Sequence, residues 1–175
     1  MKTSALLAAL ALALFAPSLT AEEPPACPMH AAHTKAEAEL DQRGDRVMGF
    51  DHSRTTHHFR IEPDGGVIQV EANDANQAAD AESRQAIRTH LAEIASAFSR
   101  GDFSSPYAIH QRVLPGVPVL IEKKEALRYL YEETERGAQV RITTQDPGAV
   151  AAVHEFLRAQ IGDHRTGDPL NHHAQ

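Results

Sequence analysis

The chain has 175 residues, 42% of them hydrophobic and 23% charged, which suits one globular domain rather than two. Seventeen Lys and Arg stand against 24 Asp and Glu, a net charge of −7. That acidity argues against nucleic acid and against anionic membranes, because both reward basic patches through counterion release. Ten Gly, ten Pro and no long polar repeat exclude collagen-like, coiled-coil and low-complexity chains.

Residues 1–21 read as a secretory signal. Lys2 supplies the charged start, residues 5–15 are an unbroken Ala/Leu run ending in Phe15, and small residues follow Pro17. The apolar run is far short of the roughly 20 residues a membrane span needs. Pro24-Pro25-Ala26 ahead of Cys27 does not match a lipid-attachment triplet. The expected destination is the periplasm or another exported compartment, without stable membrane insertion. Cys27 is the only cysteine, so no internal disulfide can form in that oxidising setting.

Residues 22–47 are rich in Ala, Glu and Pro and read as a flexible acidic leader, with a weak helix around residues 36–43. It contains Cys27-Pro28-Met29-His30-Ala31-Ala32-His33: a thiolate, a thioether and two imidazoles within seven residues. Cys and Met sulfurs select soft ions such as Cu(I), and imidazole suits copper, zinc and nickel. Cys27, Met29, His30 and His33 are therefore the candidate metal ligands, with copper first and zinc second. Cys-Pro-Met-His also resembles the first half of a short heavy-metal-binding module of metal-efflux proteins, whose second half is absent here.

Regular patterning starts near Met48, and residues 48–168 are expected to form a single α+β domain followed by a tail, 169–175. Residues 55–62 alternate, with His57, Phe59 and Ile61 on one face and His58, Arg60 and Glu62 on the other. A turn at residues 63–66 leads to a second strand with Ile68 and Val70 inward. A helix follows over residues 78–99, its stripe made by Ile87, Leu91, Ile94 and Phe98, and Gly101 stops it. Residues 126–133 and 137–142 repeat the strand pair. Asp146 is an N-cap before Pro147, and Val150, Val153, Leu157 and Ile161 form the last apolar stripe.

An offset of 72 aligns Phe59 with Tyr131, Gly65 with Gly137, Ile68 with Val140, Val70 with Ile142 and Asp74 with Asp146. Two strand–strand–helix repeats, about 55–99 and 126–164, are joined by a Pro-rich crossover. Together they predict a four-stranded antiparallel sheet with two helices on one face. The open face would carry His58, Arg60, Gln69, Arg128 and Arg141, a surface suited to a homodimer or a small anionic ligand.

Several strings resemble, as a set, a group of small exported bacterial proteins of unassigned function. They are Met48-Gly-Phe-Asp51, Thr55-Thr-His-His-Phe59, Ile87-Arg-Thr-His-Leu91, Gly101-Asp-Phe103, Pro115-Gly-Val-Pro118, Tyr129-Leu-Tyr-Glu132, His154-Glu-Phe-Leu-Arg158 and His164-Arg-Thr-Gly-Asp168. The resemblance covers residues 48–168 and implies no active site. Some members of that group are labelled aspartate carbamoyltransferase. That enzyme's carbamoyl-phosphate loop reads Ser-Thr-Arg-Thr-Arg, an order that Ser53-Arg54-Thr55-Thr56 lacks, and the enzyme has two domains.

Histidine is heavily used, 11 in all. His57 is expected in the core beside Phe59. His52 and His58, with a leader ligand, form a second candidate metal set. His90 and His154 sit at the edges of the helical stripes, and His164 is placed to satisfy the last carbonyls of its helix. Enzyme signatures are missing: His154-Glu155 lacks the second His of the zinc-protease motif, and no Gly-x-Ser-x-Gly or phosphate loop is present. The expectation is a metal-binding protein for storage, delivery or resistance, acting with an efflux or delivery partner. A metal-independent binding or assembly module is the alternative, and a small hydrolase or transferase comes third.

Overall fold

The computed structural model describes residues 28–73 and 78–171, with side chains placed from 34 onward except at 78 and 79. The expected signal segment, Cys27, Asp74 and the tail pair His172-His173 lie outside the described residues, as do the side chains of Met29, His30 and His33.

The order is α1 (Pro28–Met48), β1 (Thr55–Glu62), β2 (Gly65–Ala72), α2 (Ala78–Ser99), α3 (Ser104–His110), α4 (Val117–Glu122), β3 (Leu127–Glu133), β4 (Gly137–Thr144) and α5 (Pro147–His164). The four strands form one antiparallel sheet in the order β1-β2-β4-β3. Each hairpin follows from its turn chemistry. Glu62 pairs with Gly65 across a two-residue Pro63-Asp64 turn, and Gly65 takes φ +145°, open to glycine. At the centre of the sheet Ile68 pairs directly with Val140, the residue that the 72-residue offset assigns as its equivalent. That register is the one a two-fold axis between the hairpins would produce.

The apolar stripes of α2 and α5 end up where their periodicity directs them. Ile87, Leu91 and Phe98 from α2 and Val153, Phe156 and Leu157 from α5 are almost fully buried. They join Phe59, Ile68, Val70, Val140 and Ile142 of the strands in one core. α2 packs chiefly on β3 and β4, and α5 on β1 and β2, so each helix covers the hairpin of the other half. Asp146 caps α5, accepting from the Ala149 amide at 3.0 Å.

The leader differs from expectation. Instead of a flexible segment with a short helix, residues 28–48 form one helix whose second half is anchored to the domain. Leu40 and Val47 pack on the core and Met48 is buried in it. The Arg43 Nε–H donates to Ile109 O at 2.7 Å, and Arg165 pairs with Asp41 at 2.9 Å. These partners lie far away in sequence, which is why local composition did not reveal the helix. The Pro-rich crossover also orders, as α3 and α4, with Pro118 in the first turn of α4 where its missing N–H costs nothing.

Gly116 precedes α4 at φ +78°, and a methyl there would run into Ala152 O of α5. Gly49 has the same φ but open space around it. Gly49→Ala should therefore cost only the left-handed backbone penalty, about 1–2 kcal/mol. Gly116→Ala adds overpacking against backbone and should cost about 2–4 kcal/mol. Urea unfolding of the two variants checks this, and equal losses would contradict the close approach of α4 to α5.

Candidate functional site

Four imidazoles converge on one side of the core. β1 turns His57 inward because it shares the parity of Phe59 and Ile61, as expected. His90 falls on the buried face of α2, His110 ends α3, and His164 ends α5. Their rings form a chain. His57 and His164 stack with centroids 5.3 Å apart and planes 12° from parallel. His110 meets His164 edge-on, also at 5.3 Å. Phe50 bridges His57 at 6.0 Å and His90 at 5.9 Å. Met48, Gln160 and these histidines help line a cavity of about 50 Å³, more than one water molecule needs.

The rings are held neutral. Burial pushes His57 down to about 4, with the neighbouring His90, His52 and His58 pushing the same way. Burial alone brings His90 to about 4. His164 falls to about 3, first through burial and then through His57, His110 and Arg165. His110 is lowered by burial too, against the upward pull of Asp163 and of a hydrogen bond with Gln160. Neutral imidazole is the form that binds metals.

Polar satisfaction in this wall is incomplete. Nε2 of His57 is buried without a hydrogen-bond partner, and Nε2 of His110 and Oε1 of Gln160 make no hydrogen bond of full geometry although the two side chains interact. Nδ1 of His110 lies 2.7 Å from Asp163 Oδ2, off the line of a full hydrogen bond but close enough to keep the ring proton there. Asp163 is fixed in turn by Arg112 at 2.6 Å. Orphaned buried groups of this kind cost roughly 1–3 kcal/mol each.

The segment after α5 explains why His164 faces inward, in place of the expected role at the helix carbonyls. Arg165 takes the left-handed conformation at φ 54°, and its own amide bonds Gly162 O and Ile161 O, closing the helix without the imidazole. Gly167 then turns the chain, and Asp168 reaches the edge strand. Its Oδ2 accepts from the Phe59 amide at 2.8 Å, and its Oδ1 lies 3.1 Å from His58 Nδ1. Pairing of this kind also blunts an exposed edge.

The second candidate metal set is not brought together as expected. His58 is engaged by Asp168, whereas His52 lies 2.9 Å from Asp45 and 3.7 Å from Asp41. Among the described residues, Asp45, Asp51 and His52 are the group whose three ligand atoms lie within 4.8 Å of one another. Asp51 also has a local task, accepting from the Ser53 amide and hydroxyl at the start of the 3-10 turn His52–Arg54.

His90 lines the pocket and not a helix edge, and His110, at the end of the crossover helix α3, is buried beside it, each 9% exposed or less. His154 does sit at an edge, its Nε2 2.9 Å from Glu62 O. The open sheet face carries the expected polar residues, tied to one another. Arg60 donates to Gln69 and Gln139, Arg141 pairs with Asp64, and Arg128 bonds the Glu125 and Leu127 carbonyls. Among the described residues no helix is long and apolar enough to cross a membrane. No protein-family model, curated protein or solved structure matches this chain.

Proposed function

We propose that this chain is an exported metal-binding protein that handles copper, as Cu(I), in storage, delivery or resistance. The observation that carries this reading is the pocket itself, where four neutral imidazoles and the Met48 thioether surround one small cavity. Imidazole and thioether are ligands that suit copper, and the thioether favours its reduced state. Cys27, Met29, His30 and His33 add a second soft donor set near the start of α1. An ion in the pocket would be sheltered from solvent. Zinc is the alternative ion. Export rests on the apolar run of residues 5–15 behind Lys2.

The test is competition for Cu(I) between bicinchoninate and the reduced chain lacking its first 21 residues. Tight, stoichiometric removal of copper from the chelator is the expected result. If the chelator keeps all the copper, the metal-handling reading fails for this ion, and the same titration with Zn(II) decides whether it fails outright. Removing residues 22–47 would be a poor comparison, because Leu40 and Val47 of that segment pack on the core. Replacing Cys27, Met29, His30 and His33 in place is the sound alternative.

A further inference from the structure

We infer that the pocket is a buried Cu(I) site in which His57 Nε2 and His110 Nε2 are the nitrogen ligands and the Met48 sulfur is the third donor. The inference rests on the metal-handling reading and says where in the folded domain the ion sits. Three observations lead to it.

The first is the pair of under-satisfied nitrogens. Both Nε2 atoms are buried without a hydrogen bond of full geometry, that of His57 with no partner at all and the His110 ring with the Gln160 side chain beside it. Asp163 beside Nδ1 of His110 favours the tautomer that carries its proton on that side. A carboxylate behind a ligating histidine is the arrangement that fixes its tautomer and raises its basicity. Asp163 is thus a positioning residue, held by Arg112.

The second is coordination number. His57 and His164 are nearly parallel and 5.3 Å apart, so their in-plane lone pairs cannot both meet one ion between them. His110 stands at 85° to His164, so the pocket offers ring planes that cross. Among the described residues no three nitrogen or carboxylate ligand atoms of the pocket lie within 4.8 Å of one another. A tetrahedral zinc site needs four donors around the ion. Cu(I), soft and closed-shell, is satisfied by two nitrogens and a thioether.

The third is a way in. Met48 and His90 line the inner cavity and also an outer hollow of about 440 Å³, which carries Glu82 and Glu93. Carboxylates at the outer mouth raise the local concentration of a cation. The flexible thioether of Met48 can then pass the ion inward.

Three preparations of the chain lacking its first 21 residues separate the possibilities: the unaltered chain, a leader variant (Cys27→Ser, Met29→Leu, His30→Ala, His33→Ala), and a pocket variant (His57→Gln, His110→Gln). Each is titrated with Cu(I) against bicinchoninate. The leader variant should retain one tightly bound Cu(I), and the pocket variant should lose that one. Asp163→Asn in the leader variant should weaken the retained site about 10–100-fold, as loss of a positioning carboxylate does elsewhere. Because the pocket variant can misfold, ring ¹⁵N spectra of the leader variant provide a second reading. On adding Cu(I), the Nε2 signals of His57 and His110 should shift strongly and those of His154 should not. Unmoved His57 and His110 signals, or a leader variant that binds no copper while the unaltered chain does, overturn the pocket site but leave the metal-handling reading standing. No binding by the unaltered chain overturns both.

Discussion

Freed of metal by a chelator, the protein should lose most of its stability as the pH falls from 6.5 to about 4.5. Three buried imidazoles set that window. In the unfolded chain each takes up a proton near pH 6.5, whereas in the folded protein His57 and His90 resist to about 4 and His164 to about 3. The unfolded state therefore binds more protons throughout the interval, and stability falls as the pH falls. Each group contributes a slope of up to about 1.4 kcal/mol per pH unit. Three such slopes over two units compete with the roughly 5–15 kcal/mol typical of a whole domain.

Charges facing the cluster adjust this without reversing it. Asp163 beside His110 favours the protonated ring there and Arg112 opposes it, while Arg165 disfavours the protonated ring of His164. Asp51, Asp102, Asp146 and Asp168 have carboxyls held below 3.8, so their contribution is lost only at lower pH. Urea midpoints at pH 7.5, 6.0 and 5.0 in the presence of chelator measure the effect. His90→Gln should flatten the profile by one histidine's share. A midpoint that stays level to pH 5 would mean that water reaches these rings in the folded state.

How much of this could be read in the sequence depends on whether a residue's role is set by near or distant neighbours. Strand alternation, the stripes of α2 and α5 and the Asp146 cap are local signals, and they gave the sheet and its two principal helices. The pocket is built from single histidines on four separate elements, spread between residues 57 and 164, with no motif spacing. A partial signal existed. His57 has the inward parity of Phe59, and His164 continues the stripe of Val153, Leu157 and Ile161 at a spacing of three. His90 likewise falls beside Leu91 in the stripe of α2. His110 had no such signal, because its burial depends on α1 and α5 closing over α3. The soft-donor string at Cys27 was conspicuous because it is contiguous, and contiguity says nothing about what folding brings together.

Phe98→Ala should be among the most damaging single substitutions in the protein, because Phe98 ties the aromatic core to the histidine pocket. Its ring stacks on Phe103 at 4.2 Å and meets Phe156 and Tyr129 edge-on at 5.9 and 5.8 Å. It is 2% exposed and also lines the cavity that His57, His110 and His164 share. Truncation removes its transfer energy and leaves a void that rigid aromatic neighbours cannot fill, a loss of about 3–5 kcal/mol. For a domain of this size that is a fall in Tm of roughly 10–20 °C. Phe98→Leu fills most of the space and should lose well under half as much. Copper gives a second measure. The alanine void would open onto the pocket and loosen its wall, so Phe98→Ala should weaken Cu(I) binding more than Phe98→Leu does. If both variants bind copper as the unaltered chain does while differing in Tm, the pocket does not depend on this wall. The ion would then have to be held by the soft donors at the head of α1.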